Sequence, residues 1–237
     1  MFKGIDASVT ARDVSRRINR GTRCYVFPSS KEPGVIHSME SYQEFKRALL
    51  LDVDPRVKKF RDQPWTIDLD TAEIMRSKAH FSKLKGHKRR LYTPDSECHM
   101  IDGRIRIVEV KRETSEDDKY ILAEKMLNQH GYDFLMLAGE DISGVLVRNA
   151  CCLQRTRAEH FKKDLPALLD QLNALASMHQ DWAFEELAAR NSFGIFGVYA
   201  GLANGIFAAD MNLDLVGTNA KISSAFGDME HLFLGFL

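Results

Sequence analysis

The sequence predicts an α/β fold with a mixed sheet flanked by helices, followed by a smaller and mostly helical module. Three observations carry this. Up to residue 138, strand-like apolar runs interleave with helical patterns. An Asp102-Gly103 pair separates two such runs, the signature of an antiparallel hairpin. From about residue 154 the pattern becomes helical and the charge acidic. The predicted division is therefore 1–153 and 154–237.

Taken in order, ARDVSRRINRG (11–21) reads as a short basic helix ended by Gly21. CYVFPSSKEPGV reads as a strand and a turn, punctuated by Pro28, Ser29, Ser30, Pro33 and Gly34. SMESYQEFKRALLLD is a helix that Ser38 can cap, with Tyr42, Phe45 and Leu49 as its apolar stripe and Pro55 as its stop. VKKFRDQPWTIDL is extended and broken by Pro64. HFSKLKGHKRR is a basic loop or weak helix carrying Lys83, Lys85, Lys88, Arg89 and Arg90. Two strands follow, about 91–101 and 104–111. EDDKYILAEKMLNQHG is a helix closed by Gly131, and YDFLMLA a short buried strand. GVLVRNACCL has no clear pattern. AEHFKKDLPALLDQLNALASM and DWAFEELAAR are amphipathic helices, and the apolar LFLGFL is expected to pack into its own domain.

Composition narrows the function classes. The chain has 237 residues, 44% hydrophobic and 28% charged, as in ordinary soluble proteins. No apolar run approaches the roughly 20 residues needed to cross a bilayer, so no membrane partner is expected. The first residues lack the apolar core of a secretory signal. Cys24, Cys98, Cys151 and Cys152 include no CxxC pair, which fits a reducing cytoplasm and argues against a zinc site or disulfide framework. The zero net charge hides an asymmetry. Residues 1–112 carry 24 Lys and Arg against 15 Asp and Glu, and residues 113–237 carry 9 against 18. A basic half suits a polyanion such as DNA, and an acidic half suits a protein or solvent.

The chemistry concentrates where the strand of Ile105, Ile107 and Val108 runs into Glu109 and Lys111. Residues two apart in a strand share a face, so Glu109 and Lys111 project together. Burying such charge costs several kcal/mol, typically, unless something compensates. Asp95, after Pro94 in the preceding strand, reaches the same face only on one condition. A strict two-residue loop at 102–103 would pair 95 with 110 and turn Asp95 away. Pairing 95 with 109 or 111 requires a one-residue shift between 96 and 108, through a bulge or a three-residue turn. Two carboxylates so gathered suit Mg²⁺, with phosphate and water oxygens completing its shell. The ion would activate water, and Lys111 would position that water or stabilise charge on the phosphate. The alternative is a surface salt-bridge cluster, because acidic-x-Lys alone is common. Upstream, Glu40 and Glu44 are spaced i, i+4 as on one helix face, and Glu40 is read as paired with Lys46 or Arg47.

FPSSKEPGVIHSMESYQE, DPRVKKFRDQP, YTPD and IVEVK stand in an order and spacing that resemble the TnsA family, the endonuclease subunit of heteromeric bacterial transposases. The resemblance covers most of residues 22–112 and continues weakly through VRNACCLQRTR. It implies a restriction-endonuclease-like core of the PD-(D/E)xK type, with Mg²⁺ or Mn²⁺, one ion or two, as cofactor. By position Glu44, Asp95 and Glu109 match the metal-holding acids and Lys111 the catalytic lysine, with the Val110 carbonyl as a further ligand. Glu40 and Gln63 match accessory positions. The implied reaction is hydrolysis of phosphodiester bonds at the 5′ ends of a transposon, with Lys83, Lys85, Lys88, Arg89 and Arg90 tracking double-stranded DNA. The implied partners are an acidic-triad transposase and an ATPase regulator, the latter contacted by a winged-helix-like C-terminal domain that GVYAGLANGIFAADMNLDLVGTNAKISS loosely resembles. The implied location is the bacterial cytoplasm, at the nucleoid. A free-standing restriction-like or junction-resolving nuclease and a non-catalytic DNA-regulator scaffold are the competing readings.

Overall fold

The computed structural model describes residues 24–75, 89–111, 118–157, 162–216 and 220–236. The expected basic helix at 11–21 and residues Lys83, Lys85 and Lys88 lie outside them. The fold is mixed α/β. The chain divides into two compact units, Met1–Ala48 with Arg56–Asp141, and Leu49–Pro55 with Ile142–Leu237.

The first unit opens with an antiparallel hairpin, β1 (Tyr25–Pro28) and β2 (Ile36–Met39). Helix α1 (Tyr42–Val53) follows. The expected cap at Ser38 is displaced, because Ser38 pairs with Val26 in the hairpin. Ser41 caps instead: its Oγ accepts the Glu44 N–H at 3.2 Å and donates to Glu44 Oε1 at 2.8 Å. The Glu40 N–H returns to Glu44 Oε2 at 3.1 Å. Ser41-x-x-Glu44 is thus a capping box whose return bond lands on the Glu40 N–H, one residue before the cap, and its Ser-x-x-Glu signal is legible in the sequence. Glu40 therefore precedes the helix rather than sharing a face with Glu44. Every residue from Lys46 to Asp54 is buried, whereas Tyr42 of the expected stripe is 46% exposed.

The central sheet has the order β3–β7–β8–β9, formed by Val57–Asp62, Ser96–Met100, Ile105–Lys111 and Asp133–Ala138. The first two pairings are antiparallel and β8–β9 is parallel, so the sheet is mixed. The crossover from β8 to β9 runs through α2 (Asp118–Gln129), closed at Gly131 with φ 79°. Helix α2 buries Ala123 and Leu127 against Ile107, Trp65, Ile67, Leu69 and Tyr92, the core beside the site. The expected long strand at 91–101 is broken. Leu91–Tyr92 (β6) joins β4 (Thr66–Asp68) and β5 (Ile74–Met75) in a separate sheet of order β5–β4–β6. Pro94 has no N–H to donate to a ladder, and the break falls there. Strand β9 is half-buried along its length, not fully buried as its composition suggested.

In the second unit, GVLVRNACCL resolves as part of helix α3 (Gly144–Thr156), capped by Ser143. This helix belongs to the second unit, whose longer stretch runs from Ile142 and so includes residues before the expected boundary at 154. The buried Asn149 on α3 donates to the carbonyls of Met211 and Leu213 at 2.9 Å each and accepts the Tyr199 hydroxyl at 2.8 Å. The elements that follow are α4 (Leu165–Met178), β10 (Asp181–Ala183), α5 (Phe184–Arg190), α6 (Ile195–Ala203), β11 (Phe207–Ala208) and β12 (Lys221–Ser224). DWAFEELAAR is therefore a short strand and a helix, not one helix. The sheet order is β10–β12–β11, antiparallel throughout. Leu232 and Leu234 of the apolar tail are buried, and the Gly235 N–H bonds Asp54 Oδ2 at 2.8 Å. Among the described residues no helix is long and apolar enough to cross a membrane.

Candidate active site

The hairpin register decides the site. Ser96 pairs with Val108, Glu97 with Ile107, Cys98 with Arg106 and His99 with Ile105. Continuing this ladder sets Asp95 opposite Glu109. The Met100 N–H bonds the Arg104 carbonyl at 2.9 Å, leaving three residues, 101–103, in the turn. Gly103 takes φ 87°, open to glycine and strained for other residues. The one-residue shift that the chemistry required is present, and it comes from the turn.

Four side chains, from α1, β8 and the bend just before β7, then come under mutual electrostatic influence. Glu109, 3% exposed, has Lys111 Nζ 2.5 Å from its Oε1, and Tyr92 donates its hydroxyl to Oε2 at 2.9 Å. Asp95 Oδ2 accepts the Val110 N–H at 2.7 Å. Burial, then the charges of Glu109 and Glu44, push the Asp95 carboxyl well above its usual range, against the Val110 bond and Lys111. Burial also raises Glu44, offset in part by its bonds to Ser41 and the Glu40 backbone and by Lys111, and reinforced by the Glu40 charge. Burial pulls the Lys111 ammonium down, but hydrogen bonds to Glu109 and Tyr120 and the charges of Glu109 and Asp95 outweigh it and push it up. Burial and the adjacent Glu109 raise the Tyr92 phenol. The result is an anionic cluster that one lysine only partly neutralises.

The backbone around Asp95 is fixed from β3. Gln63, in the left-handed region at φ 42°, donates its N–H to the Asp95 carbonyl at 2.9 Å. Its side chain is buried, and Oε1 has no partner among the described residues. On α1, Lys46 Nζ donates to the Gly139 carbonyl at 2.5 Å and Arg47 to the Ala138 carbonyl at 2.9 Å. Burial lowers both cations, Arg47 to about 10. The Gly139 N–H in turn bonds the Lys111 carbonyl at 2.7 Å. The helix carrying Glu44 is thereby tied to the strand carrying Lys111.

Among the described residues, no group of three or more His, Cys, Asp or Glu side chains is gathered as an ion would need. Each acid is turned to a protein donor: Glu44 to its capping box, Asp95 to Val110, Glu109 to Lys111 and Tyr92. The donor chemistry nevertheless fits a hard dication. All the acids offer carboxylate oxygens, and their mutual repulsion is what such a charge relieves. Coordination would draw on the same Glu44 and Glu109 oxygens that now accept those donors.

Of the predicted DNA contacts, Arg89 pairs with Asp68 at 2.7 Å and Arg90 with Asp70 at 2.6 Å. Both arginines already have carboxylate partners. Sequence reasoning missed Tyr92, Tyr120 and Glu97. Tyr92 stands three residues before Asp95 and was legible as part of YTPD. Glu97 shares the face of Asp95 by strand parity; it accepts the Trp65 indole N–H at 2.6 Å and lies 2.8 Å from His99 Nε2. Tyr120 carries no local signal. No protein-family model matches the chain, and no curated protein matches its sequence.

Proposed function

We propose that the first unit is a restriction-endonuclease-like, Mg²⁺-dependent DNA nuclease of the PD-(D/E)xK type, acting as the 5′-end-cleaving endonuclease subunit of a heteromeric transposase. The observation that carries this is the three-residue turn that sets Asp95 against Glu109 and Lys111, with Glu44 in electrostatic reach. A plain salt-bridge cluster has no need of a buried Asp95 whose charge its neighbours disfavour.

Glu44, Asp95, Glu109 and the Val110 carbonyl would hold the ion, with Glu40 and Gln63 in supporting positions. When bound, it would lower the proton affinity of a water and take up charge on the phosphate. The protein's own groups do the rest. Tyr92 and Lys111 orient Glu109. Lys111, protonated through the ordinary pH range, offers positive charge to the phosphate oxygens as they become more anionic. Gln63 and Val110 hold Asp95 from both ends.

The second unit supports a protein-binding role. After α3, its succession helix, strand, helix, helix, strand, strand, with β12 between β10 and β11, supports the winged-helix reading. Helix α6 stands where such folds carry their DNA-reading helix. Its sequence, IFGVYAGLA, has no Lys or Arg, and seven of its residues, Gly197 to Ala203, are buried. A phosphate-contacting helix needs basic residues. An ATPase regulator is the partner this suits.

The test is cleavage of transposon-end DNA with Mg²⁺, by the purified chain alone and with its transposase and regulator. 5′-strand cleavage that requires the assembly and is lost in Asp95→Ala and Lys111→Ala supports the reading. Cleavage by the chain alone favours the free-standing nuclease. Full cleavage by either variant sinks the assignment.

A further inference from the structure

Lys111 has two partners at its ammonium. One is Glu109, 2.5 Å away. The other is Tyr120, whose ring centroid lies 5.0 Å from the same atom, with the phenol placed to favour the charged ammonium. The reaction proposed above, on which this inference rests, makes conflicting demands on Glu109. If it turns its oxygens to the ion, Lys111 loses its anionic partner just when its position matters. A lysine has four rotatable bonds, and once freed it must be ordered again at a cost in conformational entropy.

Tyr120 answers that demand. A phenol is a neutral acceptor, so it holds the ammonium without cancelling its charge. The ring face adds a cation–π attraction. The ring is itself fixed: it packs edge-on against Tyr92 with centroids 6.2 Å apart and planes at 86°. Tyr92 is 1% exposed and anchored to Glu109 through its hydroxyl. Two tyrosines from separate elements, β6 and α2, therefore each hold one member of the Glu109–Lys111 pair. Lys119 lies 5.5 Å from both ring centroids and adds positive charge to the same wall.

We propose that Tyr120 is the positioning residue for Lys111, a neutral anchor that keeps the ammonium aimed at the reacting phosphate once Glu109 is committed elsewhere. It acts through Lys111 and not on the metal-holding acids.

The test compares wild type with Tyr120→Phe, which keeps the ring and removes the acceptor, and with Tyr120→Leu, which removes both. In the complete assembly with transposon-end DNA and Mg²⁺, Y120F lowers kcat about 10-fold with KM for DNA unchanged, the size expected for one lost hydrogen bond to a charged group. Y120L lowers it further. The second readout needs no turnover: in ¹⁵N-lysine-labelled full-length protein with Mg²⁺, the Lys111 ammonium gives an ordered ¹H–¹⁵N signal in wild type and loses it in Y120F. Mn²⁺ binding by calorimetry is the same in both. Wild-type cleavage with unchanged kcat and a retained Lys111 signal in Y120F overturns the inference alone. A rise in KM at constant kcat, or a loss of Mn²⁺ binding in Y120F, also overturns it. Failure of the wild-type assembly to cleave overturns the nuclease reading and this inference with it.

Discussion

Asp95 Oδ2 accepts the backbone N–H of Val110 at 2.7 Å, one residue past Glu109 on the opposing strand. The bond places an acid whose charge is disfavoured by burial, Glu109 and Glu44, and the first prediction follows from that cost. Asn in place of Asp95 keeps an acceptor for Val110 and removes the repulsion. Asp95→Asn is expected to match or exceed the wild type in Tm at pH 8 without divalent ions, while Mn²⁺ binding and cleavage are lost. Differential scanning fluorimetry and calorimetry measure the two halves.

The same shifts set a pH dependence. Asp95 and Glu44 both hold protons more tightly in the folded chain than in the unfolded one. From the ordinary carboxylate range, about pH 4, up to their raised values, the folded state therefore binds more protons. Their contribution to stability is present below that range and is lost as pH rises through it. Without divalent ions, Tm is expected to fall across this window beyond what Asp95→Asn shows. Mg²⁺ at pH 8 restores it. An identical pH profile for the two proteins contradicts this.

Lys111 competes with any cation for Glu109. Lys111→Met removes the ammonium 2.5 Å from Glu109 Oε1, so Mn²⁺ affinity is expected to stay level or tighten while cleavage falls by about 10³-fold, the scale of losing one preorganised charge at a reacting centre. Calorimetry beside strand-specific cleavage separates binding from chemistry. Weaker Mn²⁺ binding in this variant counts against Glu109 as a ligand.

The capping box is tested by Ser41→Ala, expected to cost about 1 kcal/mol by denaturant unfolding. Ser38→Ala lacks that penalty, because Ser38 lies in the hairpin. Equal effects at the two serines contradict the observed cap.

Gly139 closes the link between α1 and β8. A Cβ there would lie 2.7 Å from Gln43 Cβ, so one of them must shift. Gly139→Ala is expected to lose about 1–3 kcal/mol, the usual cost of overpacking. Gln43→Ala does not rescue it, since the Cβ remains. Urea denaturation of the single and double variants measures this.

Much of this architecture was legible because its signals are local. Asp102-Gly103 marked the hairpin, and strand parity with the demands of the chemistry fixed a register that the turn then supplied. Gly131 closed α2 as expected, and the mixed α/β class followed from alternation of patterns. What escaped depends on tertiary context. Ser38 and Ser41 both suit a cap, and only strand pairing of Ser38 decides between them. YDFLMLA reads as fully buried because composition does not reveal an edge position. Tyr120 became part of the site through an α2 crossover that no spacing encodes. The acids, legible one by one, gave no sign that each would be satisfied by a protein donor.

Asp95 is held at both ends, its carbonyl by the Gln63 N–H at 2.9 Å and its carboxylate by the Val110 N–H at 2.7 Å. That leaves this position no slack in length. A glutamate would carry the same charge on a stem one methylene longer, and the pinned backbone cannot retreat to absorb it. What this site demands of its central acid is reach, so the swap chemists call most conservative is here a change of ruler.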